Sequence, residues 1–194
     1  MKKITIFSLA IILFTSCKKE VSSDLMQNES AAVTNAQTAR ATNPIKLSLY
    51  SSVNPASPNL DCTLPGIPFA IANSGYFLHG TATHLGLINA ATSIGLDGSC
   101  NLSNSTFILG TTTAGQIVAA NGDKITYTGI DAIDLNNVIF NGGTTAAMSG
   151  VWTITGGTGR FTGATGSFSI NGSVNVAAAG GPTFSITGEG AITY

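Results

Sequence analysis

Charge is what this chain has least of. Only 9% of its 194 residues are Asp, Glu, Lys or Arg, against about 25% in ordinary soluble domains. Bases are scarcer than acids. Over residues 44–194 the bases are Lys46, Lys124 and Arg160, and the acids are Asp61, Asp97, Asp123, Asp131, Asp134 and Glu189. So few scattered cations form no basic stripe, which excludes nucleic acid as a partner. Phosphate-binding signals are missing as well. Gly157, Gly159 and Gly163 follow a GxGxxxG spacing instead of GxGxxG, no helical pattern comes after them, and no Lys-Ser or Lys-Thr pair completes a phosphate loop. No Ser-His-Asp order, pair of catalytic carboxylates or zinc cluster stands out. His79 and His84 are five apart on one apparent strand, an odd spacing that points them to opposite faces. No metal or other cofactor is expected. No long apolar run occurs either. The longest, residues 4–14, is well short of the roughly 20 residues a bilayer-spanning helix needs.

That short run has a different use. It follows Met1-Lys2-Lys3 and leads into Phe14-Thr15-Ser16-Cys17, the positive, apolar and small-residue layout of a secretory signal. Small residues followed by a Cys at this point resemble the lipobox of bacterial lipoproteins. The resemblance implies cleavage before Cys17, with lipid on its sulfur and its new amino group, each buried methylene contributing about 0.8 kcal/mol to anchoring. Residues 18–43 have few large apolar side chains and no aromatics, the composition of a flexible tether with a mean reach of roughly 30 Å. The expected organisation is a signal peptide at 1–16, a lipidated Cys and tether at 17–43, and one folded domain at 44–194. The implied location is the bacterial cell envelope, on the periplasmic or surface face of the outer membrane, with the membrane as a partner through the anchor.

The folded part reads as strands. Ile45, Leu47 and Leu49 alternate with Lys46, Ser48 and Tyr50. Residues 54–68 hold four prolines and form a long loop. Strand patterns follow at 75–86, 87–96, 105–109, 116–120, 124–129 and 138–140. Turns are expected at 96–100, at Asn121-Gly122-Asp123, at 141–143, at Asn171-Gly172 and at Gly180-Gly181-Pro182. At 151–155, Trp152 and Ile154 share a face turned toward a core. Gly156, Gly157 and Gly159 supply a tight reversal, and Phe161 restarts the next strand. In the last strand Phe184, Ile186, Ile192 and Tyr194 share one face, with Gly188 and Gly190 at bends. Nine or ten short strands with no convincing helix most economically close on themselves. The expected fold is all-β, an antiparallel up-and-down barrel of about eight strands.

Residues 154–167 run Gly-Gly-Thr-Gly, base, aromatic, x-Gly-Ala, x-Gly. In this they resemble the late hairpin of the dirigent and allene oxide cyclase barrels, and of a set of bacterial secreted proteins. The further motifs of the bacterial set are matched by Thr-His-Leu-Gly at 83–86 and Ala-Asn-Gly-Asp at 120–123. The resemblance implies a calycin-like barrel. The catalytic acidic and polar residues of the plant enzymes are assigned to no position of this chain, the bacterial set has no established reaction, and no activity is carried over.

Cys62 and Cys100 fall in loops, in a compartment that oxidises thiols, and are expected to pair, two free thiols being the alternative. Asp123 is expected to bond backbone amides of its own turn. Asp131 and Asp134 read as loop residues able to meet a cation, without the twelve-residue calcium pattern. Arg160 is expected to pair with a carboxylate across the hairpin or to face a ligand. Glu189 is expected in solvent, and the four tyrosines as packing or rim residues. His84, Tyr127, Trp152 and Arg160 are the candidate ligand-binding residues, and no catalytic residue is assigned. The reading favours a lipid-anchored barrel without enzymatic activity that binds a small apolar or amphipathic molecule. An enzyme steering cyclisation or coupling of an apolar substrate is the rival. A structural or adhesive surface module is the third reading.

Overall fold

The computed structural model describes residues 40–62, 70–71, 73–103 and 105–194. The signal segment 1–16, Cys17, most of the tether, and Pro65 and Pro68 of the long loop lie outside the described residues. The strands are β1 (Thr42–Val53), β2 (Leu60–Asp61), β3 (Ala70–Ile71), β4 (Gly75–Ala82), β5 (Gly86–Leu87), β6 (Ile94–Leu102), β7 (Ile108–Val118), β8 (Lys124–Asp134), β9 (Thr145–Thr158), β10 (Thr165–Asn175) and β11 (Thr183–Thr193). One short helix, α1 (Asn136–Asn141), follows β8, and a single 3-10 turn (Gly159–Phe161) follows β9.

Eight of these strands form a ring. From β6 to β11 each long strand pairs antiparallel with the next. β1 then bonds β11 on one side and β4 on the other, and β4 bonds β6. The result is the expected antiparallel up-and-down barrel, with its backbone donors and acceptors shared round the ring instead of left on free edges. β2 and β3 make a separate two-residue ladder, and β5 extends the free part of β4.

Strand alternation sends one set of side chains inward: Ile45, Leu47 and Leu49 from β1, Ile125 and Tyr127 from β8, Trp152 and Ile154 from β9, Phe168 and Ile170 from β10, Ile186 and Ile192 from β11. A barrel of eight strands has little room for rings, and glycine makes that room. Tyr76 is paired across the ladder with Gly95, Tyr127 with Gly115, Trp152 with Gly129 and Phe168 with Gly190. A Cβ at Gly95 would sit 2.2 Å from the Tyr76 ring, and one at Gly129 would sit 2.3 Å from the Trp152 ring. Each large inward ring thus lies over its neighbour's missing side chain, a cross-strand pairing that also pins the register.

Several sequence expectations change. The expected turn at 96–100 is not a turn. β6 runs through it, and Gly98 is absorbed as a bulge where the register shifts between Asp97 and Ser99. Cys100 is therefore a strand residue. The expected strand at 87–96 is mostly turns, with strand at Gly86–Leu87 and again from Ile94. The strands expected at 105–109 and 116–120 are joined as one, β7, which runs unbroken from Ile108 to Val118. Residues 138–140 are helical, closed by Gly142 at φ 64°. Asn171-Gly172 does not turn, because β10 continues straight through it. β8 extends past Gly129 to Asp134, so Asp131 is on a strand and not in a loop. The late reversal is longer than the sequence suggests. β9 continues to Thr158, and Phe161 lies in the 3-10 turn, fully buried, instead of opening β10. The described end of the expected tether also joins the barrel, since β1 begins at Thr42 and the Arg40 guanidinium donates to the Gly163 carbonyl.

Candidate functional site

The barrel has two unlike ends. At the first, the connections after β9 and β7 and the turn after β4 meet. Arg160 Nε lies 3.3 Å from Asp123 Oδ2, and the Arg160 guanidinium also donates to the His84 carbonyl. Asn121 Nδ2 donates to Asp123 at 2.9 Å, so the Asn-Gly-Asp turn carries its own brace. His84 sits at φ 69°, a left-handed conformation uncommon for a non-glycine residue. It is held there by that bond and by Nε2 donating to the Pro44 carbonyl at 2.9 Å. Phe161 fills the end of the core against Tyr194, ring centroids 4.9 Å apart. The three sequence motifs at 83–86, 120–123 and 154–167 therefore converge on one plug.

At the second end the core stops short of filling the barrel. A cavity of about 50 Å³ is floored by Tyr76, Asp97, Thr111 and Asp131. Its walls are Leu109, Ile133, Met148, Val174 and Phe184, and its rim includes the half-exposed Asn73, Val176 and Pro182. That volume holds a few waters or one small polar group, at roughly 10–15 Å³ for each water. The disulfide Cys62–Cys100, Cα atoms 5.4 Å apart, ties the Pro-rich loop to β6 beside this end. The expected pairing of the two cysteines is thus present. Of three larger hollows, two of about 380 and 630 Å³ are lined without a titratable side chain and a third of about 380 Å³ carries only Asp134, whereas the cavity brings two carboxyls and a phenol together.

The floor is polar at a high cost. Asp131 is 1% exposed and accepts a hydrogen bond from Trp152 Nε1 at 2.8 Å. Burial lifts its carboxyl to about 6, with the Trp152 bond pulling the other way. Asp97 is lifted to about 7, by burial first and then by the charge of Asp131, with Thr113 opposing. Burial also raises Tyr76 and Tyr127 above the ordinary phenol range. The Tyr76 hydroxyl shares a 2.5 Å hydrogen bond with Thr113. The Tyr127 hydroxyl lies beside Tyr76, outside bonding geometry, and is buried without a hydrogen-bond partner. Tyr127 stacks on Trp152 with centroids 4.3 Å apart and planes 4° from parallel, so the floor rests on a rigid aromatic layer.

The four candidate ligand residues separate into two pairs. His84 and Arg160 lie together in the plug. Tyr127 and Trp152 lie together at mid-barrel, beneath the floor. Asp97, Asp131 and Tyr76, which line the cavity, were not among the four. For Asp131 a signal existed: 125, 127, 129, 131 and 133 keep one alternation once the strand is carried across Gly129. For Asp97 it did not, because a bulge at Asp-Gly-Ser and a turn at Asp-Gly-Ser look alike in sequence. The remaining expectations concern the surface. Glu189 is exposed and pairs with Lys46 at 3.1 Å. Tyr50 stacks on His79 outside the barrel.

Neither the family models nor the curated proteins give a match to this chain. Among solved structures it is similar to a pterocarpan synthase dirigent protein, GePTS1, at 15% identity and a TM-score of 0.38, over 80% of this chain and 87% of that one.

Proposed function

We propose that this chain is a lipid-anchored envelope barrel that takes one small amphipathic molecule, polar end first, into the cavity beside the disulfide. The observation that carries the reading is the acid-and-tyrosine floor beneath apolar walls. A polar head meets the floor, and an apolar body lies along Leu109, Ile133, Val174 and Phe184. Cys17 supplies the anchor, and the domain stands in the cell envelope on the periplasmic or surface face. Binding is read from Trp152, the chain's single Trp, which is bonded to the floor through Asp131. Titration with short-chain amphiphiles should shift its emission saturably. A flat response to every head group would end the reading and leave the structural or adhesive module in its place. The anchor has its own test. The mature chain should begin at Cys17 and carry acyl mass, and an unmodified Cys17 peptide would refute it.

One observation favours the rival, an enzyme of the dirigent or allene oxide cyclase kind. A carboxyl lifted to about 7 is poised to give and take a proton near neutrality. In that reading Asp97 serves as the acid for an apolar substrate, and Asp97→Asn abolishes turnover while sparing binding.

A further inference from the structure

We infer that the cavity floor is a site for one small organic cation, a primary ammonium on a short apolar body, with Asp97 and Asp131 as counter-charges and the Tyr76 hydroxyl as a further acceptor. The inference rests on the ligand reading above and narrows it. Its first support is a charge imbalance. Two carboxylates face one cavity, and every described Lys and Arg is engaged elsewhere. Arg40 bonds Gly163, Lys46 pairs with Glu189, Lys124 donates to Gln116 and Arg160 pairs with Asp123. The histidines are also elsewhere, His79 against Ser52 and Tyr50 on the outer wall and His84 in the plug. The two carboxylates therefore repel each other inside the barrel with no cation among the described residues to offset them.

The second support is the surplus of acceptors. Tyr76 lines the cavity with the two carboxyls, and its hydroxyl, which shares a hydrogen bond with Thr113 at 2.5 Å, keeps a lone pair able to accept. An ammonium brings three donors, which suits two carboxylates and one phenol oxygen. Size admits the head, since an ammonium is comparable to a water and the cavity is about 50 Å³, and the apolar body then extends past Phe184 to the rim at Val176 and Pro182. A divalent metal fits less well. Among the described residues no group of three or more His, Cys, Asp or Glu gathers to hold one, and such ions want a fuller set of ligands. The wall suits the body of an alkyl or aryl amine, with the Phe184 ring edge-on to Tyr76 at 4.9 Å. Burial holds both carboxyls above their ordinary range, and a bound cation would relieve that.

The facing groups fix the expected pH dependence. They are Tyr76 from β4, Asp97 from β6, Thr111 and Thr113 from β7, Tyr127 and Asp131 from β8, and Trp152 from β9. β1, β10 and β11 send in apolar side chains, glycines and Ser51. Only the two carboxyls titrate near neutrality. A cation needs them ionised, so its affinity rises with pH across their range, whereas a neutral alcohol gains nothing from their ionisation.

The test uses the full chain in phosphatidylcholine vesicles, with Trp152 emission as readout and n-pentylammonium, n-pentanol and pentanoate as probes. Pentylammonium should bind at least about tenfold more tightly at pH 8 than at pH 5.5. It should also outcompete pentanol at pH 8 and weaken at least about tenfold in Asp131→Asn. The wild-type pH slope needs no variant, so a misfolded Asn protein does not remove the test. If pentanol binds and pentylammonium does not, or if ammonium affinity is flat with pH, the cation inference is overturned while the ligand reading stands. If no probe binds, both fall.

Discussion

At one end of the barrel Arg160, Asp123 and His84 are tied to one another and Phe161 fills the space beneath them. At the other end Asp97 and Asp131 are lifted toward neutrality with no cation among the described residues facing them, and the core leaves a cavity. Both ends lie on the same ring of strands, so the strands are not the source of the difference. The plug pairs its charged groups with one another. The cavity end buries two carboxyls that no cation among the described residues offsets, a cost expected where a site binds something or moves a proton. The motifs most conspicuous in the sequence mark the satisfied end.

The strongest way to break this comparison is to cut the covalent tie beside the cavity. Cys62 and Cys100 are 38 residues apart. The chain-entropy model assigns closure of such a loop about 4 kcal/mol. Reduction, or the Cys62→Ser/Cys100→Ser pair, should lower the melting temperature by an amount matching that loss. Mass spectrometry should show two hydrogens gained on reduction. Hydrogen exchange should speed up first at residues 54–62 and 98–102, while 158–164 keep their protection. Equal loosening at both ends would show that the plug depends on the bridge and that the two ends are not independent.

A second effect, confined to the cavity end, comes from pH. A carboxyl whose folded value is raised above its unfolded value binds protons more readily in the native state. The stability this confers is full below the unfolded value near 4 and is lost as pH rises through the folded one. For Asp131, at about 6, and Asp97, at about 7, the decline should run from about pH 4 to about pH 8. Asp97→Asn should flatten the upper part of that decline and raise stability at pH 8. Asp131→Asn should flatten the lower part while keeping an acceptor for Trp152 Nε1. A melting temperature independent of pH in the wild type would show that the floor is better solvated than its burial implies.

The fold was largely legible because its two signals, alternation and glycine, act locally. Ile45-Leu47-Leu49 and Trp152-Ile154 declare an inward face. The closure of the barrel follows from many short strands with no helix to cover an edge. Boundaries were harder. Asn171-Gly172 has turn chemistry, yet a Cβ at Gly172 would lie 2.0 Å from the Ser185 carbonyl oxygen. That glycine is there for strand-to-strand approach, which only the neighbouring strand reveals. The candidate site was the least legible part. Polar residues read as surface, and an inward Asp departs from that pattern at a cost visible only once the opposite wall is in place. Arg160 drew the eye as a rare base beside an aromatic, and its partners turned out to be Asp123 and a backbone carbonyl of the same plug.

That last assignment gives the smallest and most discriminating prediction. The Arg160 side chain is 48% exposed and Asp123 21%, so the pair is screened by solvent and should contribute about 0.2–1 kcal/mol. Arg160→Ala also removes a donor from the His84 carbonyl and a cation 4.9 Å from the Phe161 ring centroid. Because these losses fall on one exposed side chain, the melting temperature should drop by only a few degrees. The informative quantity is what does not move. Trp152 emission, its response to ligands and its pH profile all report Asp131 and the cavity floor and should match wild type. If Arg160→Ala instead abolishes a ligand response that Asp131→Asn leaves intact, the roles of the two ends are reversed. Arg160, with His84, would then be the binding pair, and the acid floor a buried structural expense.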